Sequence, residues 1–355
     1  MSDRSGVGLV GLAVLETLEA LTAGRPRAYA TSAEAVSGIE QRTGLRPRYG
    51  YEVLTDLIRP WIMPVRLVAG WGNFGDRSSP DLAEPEYTRC RPSHAGQLVL
   101  DAEAHRLAPV PVGLINGTAY GDGTQPPLEP FRVLAALARL LEDRRVADAE
   151  VLRIVGPPDP VTGCDITGDL DALMKGRRAA IRQTGRITIT GVPRPADTAL
   201  PPDRRGWTGY EVSSRPSRPA HLIIESLPAR TSPLDAYLAI TKQAQSHGWT
   251  GSGPDRVERP SLPVAQIDDQ SSRNQIRIGL VLKPGSDPAA VRDRLAAVDG
   301  ITTEATWAFP APLASMLRAW ADRYRGEDIA ASLDLLHQAI RRDRRREQRN
   351  RSTTR

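Results

Sequence analysis

The chain has 355 residues, enough for a buried core and for two or three domains. A hydrophobic fraction of 40% and a charged fraction of 25% are typical of a globular protein. No run approaches the ~20 consecutive apolar residues of a membrane helix, so we expect no membrane association. The two cysteines, Cys90 and Cys164, exclude a disulfide framework and a cysteine-rich zinc site, and we expect a cytoplasmic protein in which both are reduced.

The basic residues are almost all arginine. The net charge is +5, and only Lys175, Lys242 and Lys283 are lysines. One guanidinium group can donate two hydrogen bonds to the same phosphate, so the excess of arginine over lysine fits a nucleic-acid partner. A GC-rich genome explains the same bias equally well, and the charge alone leaves both interpretations open.

The N-terminal part of the sequence predicts three short helices in succession. Apolar residues recur at helical spacing over Val7–Leu21, and Ser32 is a suitable N-cap for a second helix over Ser32–Arg42. A third helix is predicted to start near Arg48, to cover Tyr51–Arg59 and to stop at Pro60. This succession is compatible with a helix-turn-helix or winged-helix unit. The segment Gly70–Pro92 is expected to be rich in turns.

The C-terminal part predicts alternating strands and helices. Further predicted helices cover Glu129–Asp143, Pro233–Gln245 and Pro288–Ala297, and predicted strands cover Arg186–Thr190, His221–Ser226 and Gln275–Leu282. Val192–Pro219 is expected to be a long loop. An amphipathic helix is expected after Phe309, followed by an arginine-rich run, Arg341–Arg351, that we expect to be disordered and to add at most weak DNA affinity.

Several short motifs occur in a fixed order along the chain. They are Gly72-Asn73-Phe74-Gly75, Tyr87-Thr88-Arg89-Cys90-Arg91, Ile115-Asn116-Gly117, Thr184-Gly185-Arg186, Glu225-Ser226-Leu227-Pro228 and Ile267-Asp268-Asp269. In this order they resemble motifs of the type IIA topoisomerase A subunits, those of gyrase and topoisomerase IV, over roughly Ser5 to Arg342. Tyr87 follows the G-N-F-G motif at the distance of that family's DNA-cleaving tyrosine.

The resemblance implies an α+β fold with a defined domain order. We expect a winged-helix DNA-gate domain over residues 1–150, a tower-like α+β domain over 151–308, a C-terminal helix over 309–342 and the basic tail over 343–355. The family's N-terminal arm has almost no counterpart before Ser5, and the chain ends where its coiled coil is expected to begin.

The resemblance also implies a site. Tyr87 takes the position of the tyrosine that attacks a DNA phosphodiester, and the predicted DNA contacts are Arg46, Arg48, Asn73, Arg91 and Asn116. No metal ligand set is predicted in this chain, since the family's Mg²⁺ and ATP are bound by a B-type partner. The implied partners are double-stranded DNA, a second copy of the chain in a homodimer and a gyrase B-like subunit.

Departures from the family pattern concern charged positions. Glu86 stands where the family has an arginine before the tyrosine, and a carboxylate there repels phosphate. Ser5–Ala13 lacks the lysine, histidine and arginines of the family's first helix, and Gly44–Arg48 replaces its H-P-H-G-D motif. The family's DNA-bending isoleucine falls in a shortened segment, Thr118–Gln125, without a clear replacement.

Two main hypotheses therefore stay open. In the first, the chain is the A-type subunit of an ATP-hydrolysing type II topoisomerase and cleaves DNA through Tyr87. In the second, it is a catalytically defective, gyrase A-like DNA-binding protein that modulates or competes with the host's gyrase. A relic without function is a third option. The position of Tyr87 favours the first hypothesis, and Glu86 with the uncharged first helix favours the second.

Overall fold

The computed structural model describes residues 3–23, 25, 28–79, 81–118, 124–190, 220–246, 248–250, 257–259, 261–273 and 275–352. These residues form a mixed helix and sheet structure, in agreement with the predicted α+β class. The chain divides into two compact units. One comprises Met1–Asp76, Pro80–Arg182 and Glu304–Arg355, and the other comprises Arg77–Ser79 and Gln183–Thr303. The boundaries at 150 and 308 stay a prediction, because compactness alone does not delimit homologous domains.

The first unit begins with three helices and three short strands. Its first six elements, in chain order, are α1 (Leu9–Thr22), β1 (Ala30–Thr31), α2 (Ser32–Thr43), α3 (Pro47–Asp56), β2 (Val68–Trp71) and β3 (Arg89–Pro92). The strands form an antiparallel sheet in the order β1-β3-β2. The three predicted helices are confirmed within a few residues. The segment expected only to form turns also contains β2 and β3.

Local chemistry sets the limits of α2 and α3. Thr31 caps α2 in a reciprocal capping box with Glu34, and the hydrogen bonds from Thr31 lower the pKa of the Glu34 carboxyl. Gly44 ends α2 in the left-handed conformation at φ 71°, which glycine adopts without steric cost. Pro47 occupies the first turn of α3, where no backbone N–H is required.

The remaining elements of the first unit are mostly helical. They are α4 (His94–Glu103), α5 (Val112–Asn116), α6 (Pro130–Glu142), α7 (Asp148–Val155), β4 (Asp165–Gly168), α8 (Leu170–Met174), β5 (Ala179–Thr184, which continues into the second unit), α11 (Leu313–Arg323) and α12 (Ile329–Ser352). A further sheet has the strand order β12-β5-β4, with β12 at Thr302–Trp307. The largest fully buried side chains, most of them leucines, are Leu12, Leu15, Leu18, Ile39, Leu54, Leu57, Met63, Leu67, Ile115, Leu128, Leu137 and Leu140.

The second unit is a sheet covered by helices. Its elements are β6 (Ile187–Thr190), β7 (His221–Ile224), α9 (Pro233–Gln245), β8 (Gly248–Thr250), β9 (Val257–Arg259), β10 (Val264–Asp269), β11 (Ile278–Leu282) and α10 (Pro288–Leu295). The main sheet is antiparallel with the order β10-β11-β7-β6. Alternate residues of β11 are buried, as its sequence pattern predicts. The predicted loop Val192–Pro219 lies outside the described residues.

The C-terminal arginine-rich run is helical. The prediction of a disordered tail from residue 343 is wrong as far as Ser352, because α12 continues to that residue. Arginine, glutamine and glutamate favour helix, and two ion pairs hold the start of the segment: Arg344 Nη2 lies 3.1 Å from Glu129 Oε1, and Asp343 Oδ2 lies 3.6 Å from Arg66 Nη2. No helix within the described ranges is both long and apolar enough to cross a membrane.

Candidate functional site

Tyr87 is exposed at the end of a short 3-10 turn, Pro85–Tyr87, that leads into β3. Its side chain is 76% exposed. The turn is closed by the backbone N–H of Tyr87, which donates to the carbonyl oxygen of Glu84 at 3.0 Å. Among the described residues, none forms a hydrogen bond with the Tyr87 hydroxyl. The hydroxyl is therefore accessible to another molecule.

The residues after Tyr87 alternate between exposed and buried. Thr88 and Cys90 are fully buried, whereas Arg89 is exposed, so Tyr87 and Arg89 share the outer side of the chain. The Thr88 hydroxyl donates to Ser32 Oγ at 2.8 Å, and the Ser32 N–H donates to the Thr88 carbonyl at 2.9 Å. Burial raises the pKa of the Cys90 thiol to about 12. The inner residues thus fasten the turn to the start of α2.

A second tyrosine fastens the same turn to α3. The Tyr51 hydroxyl donates to the carbonyl oxygen of Ala83 at 2.7 Å and lies 3.2 Å from Thr88 Oγ1. Burial raises the pKa of Tyr51. Tyr51 thus has a structural role. Its hydrogen bonds hold the turn that contains Tyr87 against α3, the helix that carries Arg48.

The G-N-F-G turn supports Tyr87 from the other side. Gly72 has φ 108°, and a Cβ atom there would lie 3.1 Å from the Tyr87 carbonyl oxygen. The Asn73 side chain accepts a hydrogen bond from the Gly75 N–H at 2.9 Å and donates to the Asp81 carbonyl at 3.3 Å. Asn73 is exposed, but its amide shapes the turn; its predicted contact with DNA stays a prediction.

The two arginines at the start of α3 are exposed. Arg46 is the N-cap residue, and its side chain makes no capping hydrogen bond. The Arg48 side chain is 85% exposed and forms an ion pair with Glu52, with 3.2 Å between Nε and Oε1. Such an exposed pair contributes little to stability and is easily broken, which leaves both guanidinium groups available to a ligand.

Two further arginines lie on β3. Arg91 is half-buried, with its guanidinium carbon 4.9 Å from the centre of the Tyr29 ring. Its Nε atom is buried and has no hydrogen-bond partner within the described part of the chain. Arg89, which is not among the residues predicted to contact DNA, lies 5.8 Å from the Trp71 ring, and Trp71 is 62% exposed. The motif at 87–91 contained Arg89, but no sequence pattern marks Trp71 as exposed.

Asn116 does not belong to this surface. It is completely buried, and its amide forms two hydrogen bonds with the backbone of Val65, at 3.0 Å from the N–H and 2.9 Å to the carbonyl. The prediction that Asn116 contacts DNA is therefore wrong. The residue instead joins the end of α5 to the segment that precedes β2.

The charges around Tyr87 are mixed. Glu86 is exposed next to it, and Glu34 and Arg89 lie close enough that the arginine lowers the pKa of Glu34, although less than the Thr31 hydrogen bonds do. Within the described ranges, no three His, Cys, Asp or Glu side chains are grouped so that they could hold a metal ion. The site thus offers a hydroxyl and several guanidinium groups.

Fold and site together define a mixed helix and sheet protein that presents a tyrosine hydroxyl on an open surface. The chain is 28% identical over 272 residues to the chloroplastic/mitochondrial DNA gyrase A protein of Nicotiana benthamiana, covering 69% of this chain and 25% of that protein. It is 26% identical over 261 residues to the DNA gyrase A protein of Synechocystis and 28% identical over 260 residues to that of Nocardioides. These matches cover 66% of this chain and about a quarter of each relative (26% and 25%). No protein-family model matches the chain. The chain is a divergent gyrase A-like protein.

Proposed function

We propose that this chain binds double-stranded DNA through the surface formed by Tyr87, the start of α3 and β3, and that Tyr87 cleaves and rejoins a DNA strand there. The observation that carries the proposal is the 76% exposure of Tyr87 on a turn fixed to α2 and α3. The similarity to gyrase A proteins supports DNA as the ligand.

The order of elements supports a winged-helix unit. A helix, a short strand, two helices and a two-stranded hairpin follow one another, and the first strand joins the hairpin at β3. In this arrangement α3 is the recognition helix, and the segment between β2 and β3 is the wing. The uncapped N–H groups and the exposed arginines at the start of α3 suit contacts with DNA phosphates. We further propose that the second unit corresponds to the tower-like domain.

The proposed reaction is a transesterification. The Tyr87 oxygen attacks a DNA phosphorus, the bond between phosphorus and the 3′ oxygen breaks, and a 5′-phosphotyrosyl bond forms. The tyrosine proton leaves to solvent or a partner base, and the 3′ oxygen departs as a hydroxyl, so the reverse step reseals the strand. A tyrosine hydroxyl ionises only near pH ~10, so the step requires help. Mg²⁺ bound by carboxylates of a B-type partner would supply it by stabilising the charged oxygens.

The chain's own arginines would contribute electrostatic stabilisation. Arg89 lies on the same outer side as Tyr87, two residues further on, and Arg91 follows on β3. Guanidinium groups in such positions can pair with the oxygens of the attacked phosphate. The ATP-driven steps and any homodimer would belong to an assembly with the B-type partner.

A second candidate function is DNA binding without cleavage, in which the chain modulates or competes with gyrase. Glu86 favours it, because this exposed carboxylate next to Tyr87 repels a phosphate. Helix α1 favours it too, because its only charged residues are Glu16 and Glu19, so it contributes no positive charge to the site.

A cleavage assay separates the two candidates. Supercoiled DNA is incubated with the chain, Mg²⁺ and a gyrase B protein, and covalent adducts are trapped with detergent. Adducts that disappear in Tyr87→Phe but persist in Tyr49→Phe, another exposed tyrosine at 53% exposure, are the expected result. Binding without adducts supports the second candidate. Absence of DNA binding at low salt would contradict both.

A further inference from the structure

Trp71 and Arg89 form an exposed pair beside Tyr87. They face each other across the β2–β3 ladder, and the guanidinium carbon of Arg89 lies 5.8 Å from the centre of the indole ring. Trp71 is 62% exposed, the highest exposure among the described large apolar residues of this unit after Tyr87 and Leu9. A tryptophan side chain is seldom left exposed to water, because burying it removes a large apolar area from solvent.

The indole is held in place by its neighbours. Trp71 is the last residue of β2, and Gly72, which follows it, packs against the carbonyl of Tyr87. The pairing with Arg89 fixes the strand, and the guanidinium restricts the ring. The backbone therefore presents an aromatic ring with an arginine at its side next to the exposed tyrosine.

The surrounding charges are of both signs, and Arg46 at the start of α3 and Arg91 on β3 are among the positive ones. Arg48 is paired with Glu52, Arg89 lies near Glu34, and Glu86 is exposed beside Tyr87. Arginines attract the phosphates of single-stranded and duplex DNA alike, so a preference for one form of DNA has to come from direct contact with the ring. Any nucleobase can stack on an aromatic ring, so this contact does not depend on the DNA sequence.

We propose that the Trp71–Arg89 pair binds an unstacked nucleobase of DNA, with the base on the indole and the adjoining phosphate on the guanidinium. This rests on the proposed function, because it concerns the same surface, and it names the form of DNA that the surface prefers. A base is accessible in single-stranded DNA or at a mismatch, whereas in an intact duplex it is stacked on its neighbours. The pair therefore gives the chain a preference for open or distorted DNA.

The test compares three fluorescently labelled DNAs of equal length: a single strand, a duplex with a central mismatch and an intact duplex. Binding of the full chain is measured by anisotropy over a range of salt concentrations. Trp71→Ala is expected to weaken binding to the single strand by roughly 5-fold to 150-fold, the range that follows from the contribution of one stacked base. Binding to the intact duplex is expected to change by less than about 2-fold, because no stacked base is lost there.

Salt dependence distinguishes the two members of the pair. Trp71→Ala should leave the slope of log K against log salt unchanged, since no phosphate contact is lost. Arg89→Ala should reduce that slope for the single strand by about 0.7, the value for one phosphate contact. Trp71→Phe should retain part of the affinity because a smaller ring still stacks. Leu234→Ala is the matched control, because Leu234 is a large apolar residue with the same 62% exposure on α9 of the second unit and should leave the preference intact.

Several results would overturn the proposal. Equal losses on single-stranded and intact DNA would assign Trp71 to duplex binding, and an unchanged affinity in Trp71→Ala would remove it from the site. Since the side chain is largely exposed, circular dichroism is expected to show an intact fold in each variant. If the unaltered chain binds none of the DNAs, the proposed function fails as well; if it binds all three equally, only the inference about Trp71 and Arg89 fails.

Discussion

The close packing of Gly72 against the Tyr87 turn can be tested by replacing Gly72 with alanine, which adds one methyl group. In Gly72→Ala, the new Cβ atom would lie 3.1 Å from the Tyr87 carbonyl oxygen and 3.3 Å from the Thr88 Cα atom. These distances are shorter than ordinary contacts, so the backbone of the tyrosine turn has to move. The turn cannot move freely, because the Thr88 side chain is hydrogen-bonded to Ser32 and Tyr51.

The expected cost has two parts. Alanine at φ 108° adds roughly 1–3 kcal/mol of backbone strain, and the crowding adds about 1–2 kcal/mol. Gly44→Ala is the control, because Gly44 also has a positive φ, 71°, but a Cβ there meets nothing within 4 Å. It should cost only about 1–2 kcal/mol, the strain alone.

Urea denaturation of both variants measures the difference. Gly72→Ala should lower the free energy of unfolding by about 1–2 kcal/mol more than Gly44→Ala. It should also reduce the DNA binding or cleavage that depends on Tyr87, while Gly44→Ala should not. If Gly72→Ala is no more destabilising than Gly44→Ala, the contact with the tyrosine turn does not exist in solution.

Three further substitutions or measurements test other parts of the structure. Asn116→Ala should lower the free energy of unfolding by roughly 2–4 kcal/mol, because the N–H and carbonyl of Val65 lose their hydrogen-bond partners. The control Asn73→Ala, at an exposed position, should cost less than about 1 kcal/mol. Equal costs of the two variants in urea denaturation would refute this. Arg318→Ala should cost about 2 kcal/mol in the same assay, since its guanidinium bonds two backbone carbonyls and a carboxylate, and a neutral effect would contradict that role. Burial raises the pKa of the Cys90 thiol from 9.0 to about 12, so the thiol should resist iodoacetamide at pH 8 until the chain unfolds, and rapid labelling of the folded chain would contradict its buried position. The contribution of this raised pKa to the free energy of unfolding is complete below pH 9 and is lost as the pH rises toward 12.

The sequence predicted the helices better than the short strands. Helix α2 was recognisable because its capping residues and apolar spacing are local signals, although Thr31 and not Ser32 is the N-cap. Strand β1 has only two residues, and β3 has the sequence R-C-R-P, which has little strand propensity of its own. These segments become strands because they pair with each other, and pairing across the chain cannot be recognised in a local pattern.

The exposure of Tyr87 was predictable from the sequence, but the contacts of the other residues assigned to DNA were not. The distance from the G-N-F-G motif located Tyr87, and the structure places Gly72 against it. Asn116 was assigned to DNA by resemblance, yet its amide is buried against Val65. Trp71 was overlooked because an isolated tryptophan in a sequence more often indicates a core residue, and its exposure depends on how β2 ends.

The position of Tyr87 and the charge around it are specified by different residues. Thr88, Tyr51 and Gly72 hold the turn through hydrogen bonds and close packing, and none of them is charged at neutral pH. The electrostatic environment depends on Glu86 and Arg89, both exposed, and neither is needed to form the turn. Exposed charges can change sign with little effect on folding. The resemblance of the motifs around Tyr87 to those of gyrase A therefore bears on where the tyrosine is presented, while its reactivity has to be established by measuring cleavage.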